Sequence, residues 1–94
     1  MRQPAARGRR DANQAEIVRV LRQCGARVKD ASGLGGGFPD LVVLYRGIVR
    51  LVEVKTAKGK IRKSQLDFSG EWPVWLARSE DEAVQLVRAW QHVD

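Results

Sequence analysis

Two carboxylates and a lysine stand at the ends of one apolar hairpin in this chain. Asp40 precedes Leu41-Val42-Val43-Leu44-Tyr45, Arg46-Gly47 can turn the backbone, and Ile48 to Lys55 returns with Glu53 and Lys55 near its end. If Arg46 and Gly47 form a two-residue turn, Tyr45 pairs with Ile48 and Leu44 with Val49, and Asp40 falls opposite Glu53. Paired residues share a sheet face, with Cβ atoms about 5 Å apart. Like charges so placed repel, and a divalent cation is a reason to keep them there, because carboxylate oxygens are the ligands Mg²⁺ takes. Lys55 lies two residues beyond Glu53 and projects from the same face. Two acids that share a cation, with a lysine beside them, are the parts of metal-dependent phosphodiester cleavage.

The elements that must hold these residues can be read from period and punctuation. Asp11 is placed to cap a first helix, with Gln14 three residues on as a partial capping box. Ile17, Val20, Leu21 and Cys24 form one helical stripe, Glu16 lies beside it, and Gly25 ends it. Residues 26–31 read as a short strand and the glycine-rich stretch 32–37 as a loop. That loop lacks the Gly-Lys-Ser/Thr ending of a phosphate-binding loop. Leu41 to Tyr45 is apolar on both faces and reads as a central strand. A turn over residues 57–60 leads to a short helix over 62–68 carrying Gln65, with Gly70 as its stop. Residues 73–77 read as a strand. Ser79 followed three later by Glu82 is a capping box, and Ala83, Leu86, Val87 and Trp90 give the last helix its stripe. The order predicts an α/β fold with a mixed sheet flanked by helices, the strand over 73–77 joining in parallel through the preceding helix.

Composition narrows the partner. The 94 residues make one domain, with 17 Lys and Arg against 11 Asp and Glu, a net charge of +6. That balance favours a polyanion, nucleic acid first, over a generic charged surface. Residues 1–10, with Arg2, Arg7, Arg9 and Arg10, read as a basic arm, and residues 11–94 as the domain. Cys24 and His92 are the only residues of their kinds, which excludes an internal disulfide, a thiolate zinc cluster and a histidine-based metal site within one chain. Cys24 reads as a small buried apolar residue. Trp72, Trp75 and Trp90 read as core or interface residues. No apolar run is long enough to span a bilayer, and none follows the basic start as a signal peptide requires, so the expected location is cytoplasmic, in a bacterial host or phage-encoded.

The run Gly37-Phe38-Pro39-Asp40, then Glu53-Val54-Lys55, with Glu16 on a preceding helix and Lys63-Ser64-Gln65 on a following one, resembles the PD-(D/E)XK nuclease superfamily. Within it the chain is most similar to the VRR-NUC group, over roughly residues 11–90. The resemblance implies a restriction-endonuclease-like α-β-β-β-α-β core with a C-terminal helix. It implies that Asp40, Glu53 and the Val54 carbonyl bind Mg²⁺, for which Mn²⁺ can substitute, and that Glu16 completes the acidic cluster directly or through water. Lys55 would orient the attacking water or offset charge on the phosphate, and Gln65 would act beside the scissile strand. Stand-alone members of the group look like dimeric Holliday-junction resolvases, so a homodimer acting on branched DNA is implied.

Each residue also has an ordinary reading. Glu53 and Lys55 can be a surface ion pair, Asp40 a turn residue after Pro39, and Glu16 and Gln65 solvated helix positions. The hairpin register, which ties Asp40 to Glu53, favours the joint arrangement. Lys58, Lys60, Arg62 and Lys63 form a basic cluster suited to the phosphates that flank a cut. The expected function is a Mg²⁺-dependent, structure-selective DNA endonuclease. The alternatives are a nucleic-acid-binding module without catalysis and an accessory nuclease subunit that works only with partner subunits.

Overall fold

The described residues of the computed structural model run from 5 to 93. They form α1 (Ala5–Gln23), β1 (Arg27–Asp30), β2 (Leu41–Tyr45), β3 (Ile48–Val54), α2 (Lys63–Glu71), β4 (Val74–Ala77) and α3 (Glu80–Val93). The four strands make one sheet in the order β1-β2-β3-β4. The first two pairings are antiparallel, and β4 joins β3 in parallel after the α2 crossover. This is the mixed sheet with flanking helices that the element order implied.

The hairpin turn forms as its residues require. Arg46 and Gly47 take φ of 52° and 80°, the left-handed pair that a two-residue turn needs. Tyr45 therefore faces Ile48, and the register continues to Leu41 opposite Val52. One further step sets Asp40 opposite Glu53.

The two faces of the sheet differ. Val28, Leu41, Val43, Tyr45, Val52, Val54 and Ala77 are buried in one cluster with Ile17, Val20 and Leu21 of α1 and Ala83, Val87 and Trp90 of α3. Trp90 is fully buried against Tyr45 and Trp75, with the Arg50 guanidinium 4.9 Å from its ring centre. Strand alternation sends Asp40, Glu53 and Lys55 to the opposite face, together with Val42, Leu44, Val49 and Leu51. There α2 covers the carboxylate end only, and Leu44 and Val49 stay exposed. Trp72 is 55% exposed and stacks on Phe68.

Two boundaries differ from the sequence reading. The first helix does not start at Asp11 but at Ala5, because alanines and arginines before Asp11 are strong helix formers. The helix thus takes in part of the stretch read as a basic arm; residues 1–4 of that arm lie outside the described residues. Gly70 does not stop α2, which runs on to Glu71. Pro73 supplies the stop, since the residue before a proline avoids helical angles, and Trp72 is extended at φ −123°, ψ 137°. The start of α3 is as expected in its first contact: the Ser79 hydroxyl accepts the Glu82 N–H at 3.1 Å. Glu82 reaches back one residue further than the usual box, to the Arg78 N–H at 2.8 Å.

Candidate active site

Asp40 and Glu53 are only 3% and 4% exposed. They are held differently. The Asp40 carboxylate accepts the Val54 N–H at 3.0 Å, so the loop before β2 is tied to the end of β3. Glu53 accepts from the side-chain amide of Gln65 at 2.7 Å, and the Lys55 ammonium lies 3.5 Å from the same oxygen. Gln65 is itself fixed, because its carbonyl oxygen accepts the Arg62 N–H at 2.9 Å. One amide thus caps the start of α2 and orients a carboxylate on the sheet, which settles which end of the amide faces the acid.

The electrostatics follow from burial. Loss of solvent and the neighbouring Asp40 charge push the Glu53 carboxyl up from about 4.5 to about 7, while the Lys55 ammonium pulls the other way. A hydrogen bond to Asp40 adds to the upward push on Glu53. A cation beside the pair would favour the ionised Glu53 carboxylate. The donor set is oxygen alone, which suits Mg²⁺ or Mn²⁺ over softer metals. Val54 adds a third oxygen on the right side: the N–H and C=O of one strand residue point to the same edge, and its N–H already meets Asp40. The residues present fit such an ion.

Gly37 brings the loop to the helix. It is buried with φ of +82°, and a Cβ there would overlap the Ser64 carbonyl and lie 3.2 Å from the Gln65 N–H nitrogen. Only glycine lets the chain pass this close to the first turn of α2. Phe38 then packs edge-on to Phe68 at 5.3 Å. A cavity of about 100 Å³ remains between α2 and the sheet, with Pro39, Glu53, Ile61, Gln65 and Leu76 among its walls. A larger hollow of about 720 Å³ lies between α1 and β1, lined by Gln14, Arg19, Arg22 and Asp30, on the side away from the carboxylate pair.

The VRR-NUC domain family matches residues 3–70. The chain belongs to this family. A solved structure described as a VRR_NUC domain shares the fold, with a TM-score of 0.65 at 24% identity, over 84% of this chain and 94% of that one. No curated protein matches the chain. VRR-NUC is a PD-(D/E)XK-like nuclease group, which makes a nuclease-type function and a DNA partner the coarse reading. Among the described residues no helix is long and apolar enough to cross a membrane.

The residues singled out from sequence are not all brought together. Asp40, Glu53, Lys55, Val54 and Gln65 converge. Glu16 does not join them: it is exposed on α1 and lines an open hollow with Asn13, Ser79, Glu80 and Asp81. No three acidic, histidine or cysteine side chains gather to hold a metal among the described residues, so Glu16 does not join Asp40 and Glu53 directly. Ile17 beside it is fully buried, whereas Glu16 stays exposed. Lys58, Lys60, Arg62 and Lys63 are exposed on the segment into α2, and Lys63 is engaged by Asp67 at 2.9 Å. Sequence reasoning passed over Asn13 and Arg78, which hydrogen-bond to carbonyls 42 and 22 residues away, at Lys55 and Thr56, and no local pattern marks them.

Proposed function

We propose that this VRR-NUC chain is a Mg²⁺-dependent, structure-selective DNA endonuclease that hydrolyses phosphodiester bonds. The observation that carries this reading is the buried Asp40–Glu53 pair, with Lys55 and Gln65 both directed at Glu53. Asp40, Glu53 and the Val54 carbonyl would hold the ion. When bound, Mg²⁺ lowers the pKa of its water and offsets charge on the phosphate, and Mn²⁺ can take its place. The protein's own part is positioning. The Val54 N–H fixes Asp40, and Gln65 fixes Glu53. Lys55 carries a cation beside the acids, where it offsets charge that builds on the phosphoryl oxygens. The exposed cations of residues 58–63 grip the flanking phosphates.

Branched DNA, such as a four-way junction, is the substrate that fits best. Phosphate contacts position a protein but carry no sequence information, and this fold offers little surface to read bases. Symmetric cuts need two sites, which a twofold pair of chains supplies. The open end of the sheet face, where Leu44 and Val49 stay exposed, supports such a pair.

Incubation with branched and linear DNA, with Mg²⁺ or with EDTA, tests the reading. Metal-dependent nicking, faster on branched DNA, is expected, and its loss in Asp40→Ala, Glu53→Ala and Lys55→Ala variants that still fold. Absence of any metal-dependent cut would leave a binding module, and wild-type rates in all three variants would remove the site.

A further inference from the structure

We propose that Arg78, assisted by Asn13, is a positioning residue that sets the direction of Lys55, a role that rests on the nuclease reading above. Three backbone carbonyls close on one nitrogen of the Arg78 guanidinium: Thr56 and Gly59 at 2.7 Å and Ala57 at 3.4 Å. These carbonyls belong to the turn that directly follows Lys55, and the Gly59 N–H closes that turn on the Thr56 carbonyl at 3.0 Å. The folded turn lies back over the root of the lysine. A Cβ on Gly59 would stand 3.4 Å from the Lys55 Cβ and 3.2 Å from the Thr56 hydroxyl oxygen. The space beside the first side-chain carbon of Lys55 is therefore filled by backbone that Arg78 holds in place.

The backbone of Lys55 is pinned on the same side. Its N–H donates to the Ala77 carbonyl at 3.1 Å, and its carbonyl accepts from the Asn13 side chain at 3.0 Å. The same Asn13 amide also reaches the Arg78 carbonyl at 3.4 Å. Arg78 is anchored in turn, since its own N–H is taken by Glu82 in the first turn of α3. The start of α3, the end of β4 and α1 thus meet at the point where β3 delivers Lys55. A lysine stem is flexible, so its aim depends on how firmly its backbone and first carbon are held. A planar guanidinium with a fixed fork of donors suits a turn that presents several carbonyls to one point.

The test uses Arg78→Met, which keeps the stem and removes the donors, and Asn13→Ala. Two quantities are read on branched DNA: affinity with Ca²⁺ in place of Mg²⁺, and the single-turnover rate with Mg²⁺ at saturating DNA. Misplacement of a reacting group by about 1 Å costs roughly 100-fold, and a fall of that order in the saturating rate is expected for Arg78→Met, with a smaller fall for Asn13→Ala. Val87→Ala, in the core between α3 and the sheet, lowers stability and serves as the control. Hydrogen exchange at the Gly59 amide, followed without DNA or metal, should accelerate in Arg78→Met and not in Val87→Ala. A loss of affinity with an unchanged saturating rate would make Arg78 a phosphate contact and overturn the proposal. A rate loss that Val87→Ala reproduces at equal loss of melting temperature would also overturn it. If the wild-type chain cuts no DNA, the nuclease reading is what fails, and Gly59 exchange alone then decides whether Arg78 holds the turn.

Discussion

Glu53 is the residue at which structure and chemistry conflict most openly. Folding strips it of water beside Asp40, and the native state holds a proton between pH of about 4.5 and about 7 that the unfolded chain has released. The contribution of Glu53 to stability is thus fully present below about 4.5 and is lost as pH rises through about 7. The metal-free protein should lose melting temperature across this window, and Glu53→Gln should flatten that part of the profile and melt higher than wild type at pH 8. Mg²⁺ held by Glu53 as proposed would compete with the same proton, so it should raise the wild-type melting temperature more at pH 8 than at pH 6, and do little for Glu53→Gln. Thermal melts at each pH, with and without Mg²⁺, check all of this. Asp40, Glu53, Lys55 and Gln65 were legible in the sequence because one hairpin register and one short helix place them. The exposure of Glu16 was less legible, because the stripe gave its helix face only coarsely. Arg78 and Asn13 were illegible, because their partners are carbonyls, which every residue has.

At the scale of elements, the site depends on α2 being held against a loop. Gly37 is where that contact is made, with the backbone at φ of +82° and no room for a side chain beside Ser64. Gly37→Ala should cost about 1–3 kcal/mol for the backbone angle alone, before the overlap is relieved. The overlap would push α2 outward and draw Gln65 from Glu53, so cleavage should fall further than stability does. Gly36→Ala is the comparison, because φ is positive there as well, at +64°, but an added Cβ would meet nothing within 4 Å beyond its chain neighbours. It should show the conformational cost without the loss of rate, by thermal melts and by cleavage at saturating DNA. The existence and order of the elements were readable from period, turn residues and capping signals. Their ends were less so, since Asp11 and Gly70 both lie within helices whose neighbours outweigh them.

For the whole molecule, the sheet separates two tasks. One face is buried by α1 and α3 and holds the fold, while the other carries the acids, part of an apolar strip and the approach to the basic segment. Affinity for DNA should fall linearly in a log–log plot against salt, with a slope of about −0.9 per phosphate neutralised. Lys58→Ala, Lys60→Ala and Arg62→Ala should each flatten that slope by about this amount. Lys63→Ala should do less, because Asp67 already holds its ammonium. Binding titrations over a range of salt concentrations, with Ca²⁺ present, measure this. The tight bend at Arg46-Gly47 has a reach well beyond its own two residues. Should the strands zip together one place out of step, every side chain of the slipped strand would change sides, and Glu53 with Lys55 would be driven beneath the helices. A half-made or mispaired copy then has no assembled pair of acids. The bend thus serves as a safety catch: the acids and the lysine can meet on the open face only after the hairpin has closed in the right register.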